Sequence, residues 1–144
     1  MIRPAQVEDL LKIEQLIKEF YDESLKDYIS LDTISIRNTI LNFIESHIVL
    51  VDDELKGIIA GILAYSIFDS KELFAQECIW YVSKDCRNKL GLELLNAFEK
   101  KAKDMGAKRI IMIHMDNLNG NLMEKLYEKK GYKRMEYNFI KEVV

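Results

Sequence analysis

The sequence predicts a mixed β-sheet covered by helices, an α/β or α+β arrangement, and three observations carry that reading. Four stretches repeat apolar residues at spacings of three and four, as helices do, and the stretches between them carry strand patterns. No linker, internal repeat or low-complexity segment divides the chain. With 144 residues, 49% of them apolar, the chain suits a single domain over residues 1–144. A chain of that size buries roughly two thirds of its unfolded surface.

Met1 to Arg3 reads as a short strand stopped by Pro4. Val7, Leu10, Leu11, Ile13, Leu16, Ile17, Phe20 and Tyr21 lie on one face of a first helix. A second helix is expected from Asp32 to Glu45 through Ile34, Ile36, Ile40, Leu41, Phe43 and Ile44. His47 to Val51 and Lys56 to Ile67 form a hairpin around the polar turn Asp52-Asp53-Glu54. Leu73 to Val82, rich in aromatic and β-branched residues, is a further strand. Gly91 to Met105 is expected as a helix with Leu94, Leu95, Phe98, Ala102 and Met105 in its stripe and Gly106 as C-cap. Arg109 to His114 reads as a strand and 117–120 as a loop. Asn121 is the expected cap of a short helix ended by Gly131, and Tyr132 to Val143 closes the chain as a strand.

Composition narrows the function. The formal net charge of −3 argues against nucleic acid, whose phosphates require a basic face. No apolar run is long enough to span a bilayer as a helix, and the polar N-terminus has no secretory pattern, so a cytoplasmic protein without membrane contact is expected. His47 and His114 are isolated, and Cys78 and Cys86 do not share a ligand spacing, so no metal site is expected.

The segment from Cys78 to Gly106 carries the chemistry. A strand ends at Val82, a polar loop holding Lys84, Arg87 and Lys89 follows, and a long helix opens near Gly91. Unpaired amides and the positive end of a helix dipole suit such a place to a phosphate or pyrophosphate. An ordinary strand-loop-helix turn with solvated basic residues is the alternative. The loop is neither a P-loop nor a dinucleotide fingerprint.

Trp80-Tyr81-Val82, Arg87, Gly91 and the pair Leu94-Leu95 follow one family plan, as do Tyr127-Glu128-Lys129-Lys130-Gly131-Tyr132. With the element order from Ile2-Arg3-Pro4-Ala5 to the last strand, they resemble the GNAT superfamily of N-acetyltransferases. The loop departs from that plan in having Lys84 for the usual Pro and one glycine rather than two or three. The resemblance implies a GNAT-like acyl-CoA N-acyltransferase fold, with a mostly antiparallel central sheet flanked by about four helices. It implies direct transfer of acetyl from acetyl-CoA, as cosubstrate, to a primary amine, without a metal. A non-catalytic module that binds coenzyme A or a metabolite is the alternative on the same fold, and homodimer formation is left open.

By the same resemblance Tyr81, Val82 and Ser83 contact pantetheine and the acetyl carbonyl. Arg87, Asn88, Lys89, Gly91 and Leu92 hold the pyrophosphate, chiefly through main-chain amides, and Asn121 joins the cofactor site. Tyr127, four residues before Gly131, takes the place of a thiolate-protonating Tyr. Glu77 is the one acid between Phe74 and Val82. Relatives place a base where Gln76 stands, so Glu77 reaches the working face only if a bulge intervenes. The acids Glu19, Asp22, Glu23, Asp27 and Asp32 against Lys26 suit a cationic amine, or else a solvated face.

Overall fold

The computed structural model describes residues 1–87, 89–115 and 120–144. Among the described residues, five strands form one sheet in the order β1-β2-β3-β4-β5, with β1 at Ile2–Pro4, β2 at Ile48–Asp52, β3 at Gly57–Tyr65, β4 at Leu73–Val82 and β5 at Arg109–Ile111. Neighbouring strands run antiparallel except β4 and β5, which are parallel and joined through a helical crossover. The helices are α1 (Leu10–Ser24), α2 (Thr33–Ser46), α3 (Leu90–Asp104) and α4 (Gly120–Lys129).

Helices cover both faces because the central strands are apolar on both. Every residue of β2 is buried. Val49, Val51, Ile58, Ala60 and Tyr81 point toward Ile13, Leu16, Ile17 and Phe20 of α1 and Ile40 of α2. Ile48, Leu50, Ile59, Ala75 and Val82 pack under Leu94, Phe98 and Ala102 of α3. The Asp32 carboxylate caps α2 by accepting from Ser35 N at 2.9 Å. Gly106 and Gly131, at φ 94° and 91°, follow the ends of α3 and α4 as the sequence leads one to expect.

Three sequence expectations change. The strand over Arg109 to His114 shrinks to Arg109–Ile111, because Ile113 N donates to the Glu77 side chain at 3.3 Å instead of to a strand carbonyl. The closing strand from Tyr132 to Val143 is not a strand. Tyr132 Oη instead donates to Glu99 of α3, and Arg134 pairs with Glu124 of α4 and donates to Tyr137 Oη. Period-two patterning needs a neighbouring strand to take effect, and without one Met135, Tyr137 and Phe139 stay exposed. Finally, α4 begins at Gly120, so Asn121 lies in its first turn instead of capping it.

Candidate active site

The site is built where β4 changes partner. Phe74, Ala75 and Gln76 pair with β5 on one side and with β3 on the other. From Glu77 to Val82 the strand keeps β3 alone among the described residues. At the same place the β3–β4 register slips: Ala60 faces Ile79 but Gly61 faces Glu77, leaving Cys78 as the extra residue of a bulge. Gly61 makes the slip possible. A Cβ there would lie 2.5 Å from Gln76 O and 2.7 Å from Phe98 Cζ, so only glycine lets the bulge and the α3 ring approach this closely.

The bulge decides where Glu77 goes. Without it, alternation would set Glu77 on the α1 side with Tyr81; with it, Glu77 joins Ala75, Trp80 and Val82 on the α3 side. Glu77 is 5% exposed, and its carboxyl accepts the backbone N–H of Ile113. Burial outweighs that hydrogen bond and pushes the Glu77 pKa up to about 8.

Tyr127 approaches the same point from α4. Its hydroxyl donates to Ile113 O at 3.0 Å, so the two polar groups of one backbone residue gather Glu77 and Tyr127. The Tyr127 ring lies 6.3 Å from that of Trp80 and 5.4 Å from that of Tyr132. Burial, then the neighbouring Glu77 charge, raise its pKa above the ordinary phenol value. Glu77 and Tyr127, far apart in sequence, thus form one buried acid pair.

The other predicted residues surround the free edge of β4. Ser83 N donates to Lys56 O at 2.8 Å, so alternation along an antiparallel ladder turns the amides of Trp80 and Val82 away from β3, toward the gap. Tyr81 turns its ring to the α1 face and donates its hydroxyl to Glu23 at 2.9 Å. Burial, then Glu23, push its pKa up to about 12. The Arg87 side chain is held on that side too: Nε donates to Val82 O at 2.8 Å, the two Glu23 oxygens accept from Nη2 at 3.0 and 2.8 Å, and the guanidinium lies over the Tyr81 ring. Ser83 Oγ donates to Glu19 at 3.4 Å. Burial works to raise the Glu23 pKa, but hydrogen bonds from Arg87 and Tyr81 hold it below the ordinary carboxylate value.

The start of α3 lies beside this edge. Lys89 precedes it without a side-chain cap bond, and Trp80 Nε1 donates to Gly91 O at 3.2 Å. A Cβ on Gly91 would meet Trp80 Cζ2 and Val82 Cγ2 at an ordinary 3.9 Å, so packing does not demand glycine there. Leu92 is 45% exposed on α3, Asn121 is exposed on α4, and Asn88 lies outside the described residues.

Sequence reading names Glu23 only among acids suited to a cationic amine, and gives Trp80 and the Ile113 backbone no role in the site. Glu23 stands 58 and 64 residues before its partners Tyr81 and Arg87, and nothing local sets it apart from the acids around it. Trp80 had a weak signal, an indole two residues before the strand end.

A splayed sheet with a helix opening beside the free strand edge defines an acyltransferase-like fold. The chain matches the sequence profile of the acetyltransferase (GNAT) family over residues 10–132 and belongs to that family. Solved structures of the same fold include a transcriptional regulator from Bacillus halodurans C-125, with 16% identity, 99% of each chain covered and a TM-score of 0.78. A Trypanosoma brucei acetyltransferase superposes with 13% identity, 99% of each chain covered and a TM-score of 0.73. Glucosamine-6-phosphate N-acetyltransferase from Arabidopsis thaliana follows with 14% identity, 99% and 97% coverage and a TM-score of 0.71. No curated protein matches the chain in sequence.

Proposed function

We propose that this chain, acting as one domain over residues 1–144, moves an acetyl group from acetyl-CoA to the primary amine of an acceptor. The observation that carries the reading is the meeting of Glu77 and Tyr127 at Ile113, where β4 loses its second partner. The residues present fit the cosubstrate. The amides of Trp80 and Val82 offer a strand edge to an extended pantetheine arm, as in β-strand addition. Tyr81, Val82 and Ser83 flank it. The Arg87 side chain is engaged by Glu23, so the loop from Arg87 through Asn88 and Lys89 to Gly91 and Leu92 meets the pyrophosphate with main-chain amides at the start of α3.

When bound, acetyl-CoA supplies an activated thioester whose C–S bond breaks as the C–N bond to the amine forms. Glu77 takes the proton the amine loses. A carboxyl with a pKa near 8 is a base matched to that task once ionised, so transfer speeds up as pH rises through about 8. The Tyr127 hydroxyl gives its proton to the departing sulfur. A main-chain N–H of the free edge steadies the charge on the carbonyl oxygen.

Two measurements test the reading. Calorimetric titration with coenzyme A should show binding, and thiol release with an amine acceptor should show turnover; binding without turnover across acceptors would assign the chain to a binding module instead. In Tyr127→Phe, which keeps the ring and loses the hydroxyl, kcat should fall roughly 10²- to 10⁴-fold with coenzyme A affinity unchanged. An unchanged kcat, with chemistry rate-limiting, would remove Tyr127 from the proton path.

A further inference from the structure

The helix that carries Tyr127 has little core of its own. A helix of 10 residues is marginal by itself, so α4 takes its place from what it touches. Among the described residues of α4, Tyr127 alone is buried. The helix ends in a left-handed turn: Gly131, at φ 91°, donates its N–H to Glu128 O at 3.0 Å, and Tyr132 donates its N–H to Tyr127 O at 2.9 Å. This pair of bonds turns the chain back on itself and brings the side chain at 132 against the one at 127. The two rings meet edge to face with centroids 5.4 Å apart.

Tyr132 is in turn fastened to α3. Its hydroxyl donates to Glu99 Oε2 at 2.7 Å. The other oxygen of Glu99 lies 2.8 Å from Lys130 Nζ, which also donates to Asn96 Oδ1 at 2.6 Å. The side chains of Glu99 and Lys130 are 27% and 21% exposed, so the pair is more sheltered than an ordinary surface ion pair. Burial, then Glu99, raise the Tyr132 pKa above the ordinary phenol value, which keeps its hydroxyl a donor at neutral pH. The Trp80 ring, 6.3 Å from that of Tyr127, is tied to the same helix through its indole bond to Gly91 O.

We propose that Tyr132 is a positioning residue for Tyr127, which it ties to α3 through Glu99 so that the Tyr127 hydroxyl stays on Ile113 O beside Glu77. The target is small: the hydroxyl bonds Ile113 O at 3.0 Å, and the N–H of the same residue goes to Glu77. Without the tie, α4 keeps its helical bonds but loses its fixed distance from α3, and the hydroxyl leaves the point where Glu77 is held. Because α3 also opens beside the free edge of β4, one helix sets both the amides offered to the pyrophosphate and the proton donor. The step assigned to Tyr127 rests on the acetyltransferase reading, whereas the tie does not.

The test starts from Tyr132→Phe, which keeps the ring against Tyr127 and removes the bond to Glu99. kcat for acetyl transfer should fall about tenfold with the KM for acetyl-CoA unchanged. In the Tyr127→Phe background the same substitution should cost no further activity, whereas a merely structural residue would lower both backgrounds alike. Glu99→Ala, which removes the acceptor from the α3 side, should repeat the pattern. A second readout needs no turnover: in protein labelled with ¹³C at tyrosine Cζ, the Tyr127 resonance is assigned by its loss in Tyr127→Phe and followed with pH. Burial keeps the wild-type Tyr127 proton in place past about pH 10, where exposed tyrosines titrate. In Tyr132→Phe water reaches the hydroxyl, and the Tyr127 titration should move down toward that of the exposed rings. An unchanged Tyr127 titration, or a kcat loss that persists in the Tyr127→Phe background, would overturn the proposal. Failure of the wild type to acetylate any amine would instead overturn the acetyltransferase reading, and the titration would still decide whether Tyr132 positions Tyr127.

Discussion

The two halves of β4 are one continuous strand with different surroundings. Leu73–Gln76 is the ordinary half: β3 runs along one edge and β5 along the other at Phe74–Gln76. Glu77–Val82 keeps β3, and its other edge faces Ile113 and the start of α3. The ordinary half satisfies its backbone through the ladder. Among the described residues the open half gives up that ladder, keeps a buried carboxyl that accepts the Ile113 N–H, and is braced from the α1 side by Glu23 through Tyr81 and Arg87. The difference teaches that the polar groups available for chemistry lie where the sheet stops pairing, and that packing on the opposite face holds that edge in place.

The largest effect expected from breaking this contrast comes from Glu77→Gln. The side chain keeps its size and loses its proton chemistry, so kcat should fall roughly 10²- to 10⁴-fold and the rise through about pH 8 should vanish from the pH–rate profile. The same variant has a stability signature. In the wild type, the folded Glu77 holds its proton between the ordinary Glu range and about pH 8 while the unfolded chain has released it, so stability declines with rising pH across that window and levels off above it. The decline should be on the order of a few kcal/mol, and urea titrations of Glu77→Gln should lack it. A rate profile shared by variant and wild type would place the base elsewhere.

Next in size is Gly61→Ala, which attacks the slip that separates the two halves. The added methyl collides with Gln76 O and the Phe98 ring, so the strands or α3 must move. A loss of about 2–4 kcal/mol in urea denaturation is expected. Gly91→Ala is the natural control, because a Cβ there meets only ordinary contacts. Equal stability of Gly61→Ala and the wild type would mean that the bulge does not depend on the glycine.

The smallest change expected is in Glu23→Gln, which loosens the brace without touching the open edge. Glu23 acts as a positioning residue, so the KM for acetyl-CoA should rise about fivefold, equivalent to ~1 kcal/mol, while kcat holds. Restoring the carboxylate with Glu23→Asp should recover part of the loss. A fall in kcat with KM unchanged would show that Glu23 acts on the chemistry itself.

Local pattern determined a large share of this protein. The helices α1, α2 and α3 lie close to where apolar periodicity sets them, because a stripe at spacings of three and four has one way to be buried. The hairpin of β2 and β3 and the strand β4 follow from β-branched runs broken by polar turns, and the glycines after α3 and α4 from their positive φ. Tyr127 is a candidate through the family resemblance of the segment Tyr127 to Tyr132. The tertiary structure alone decided the rest. Residue alternation puts Glu77 on the wrong face, and only the bulge opposite Gly61 turns it toward Tyr127. Strand patterning extends β5 to His114 and makes a strand of the last residues, yet a strand exists only where a neighbour supplies its hydrogen bonds. The carboxylate of Glu77 takes the N–H of Ile113, and the polar side chains after Gly131 turn to α3 and α4. Glu23 acquires its role from partners 58 and 64 residues away, a pairing that no window on the chain contains. Periodicity reports which side of an element is buried, whereas register, bulges and ion pairs depend on what the folded chain sets opposite each residue.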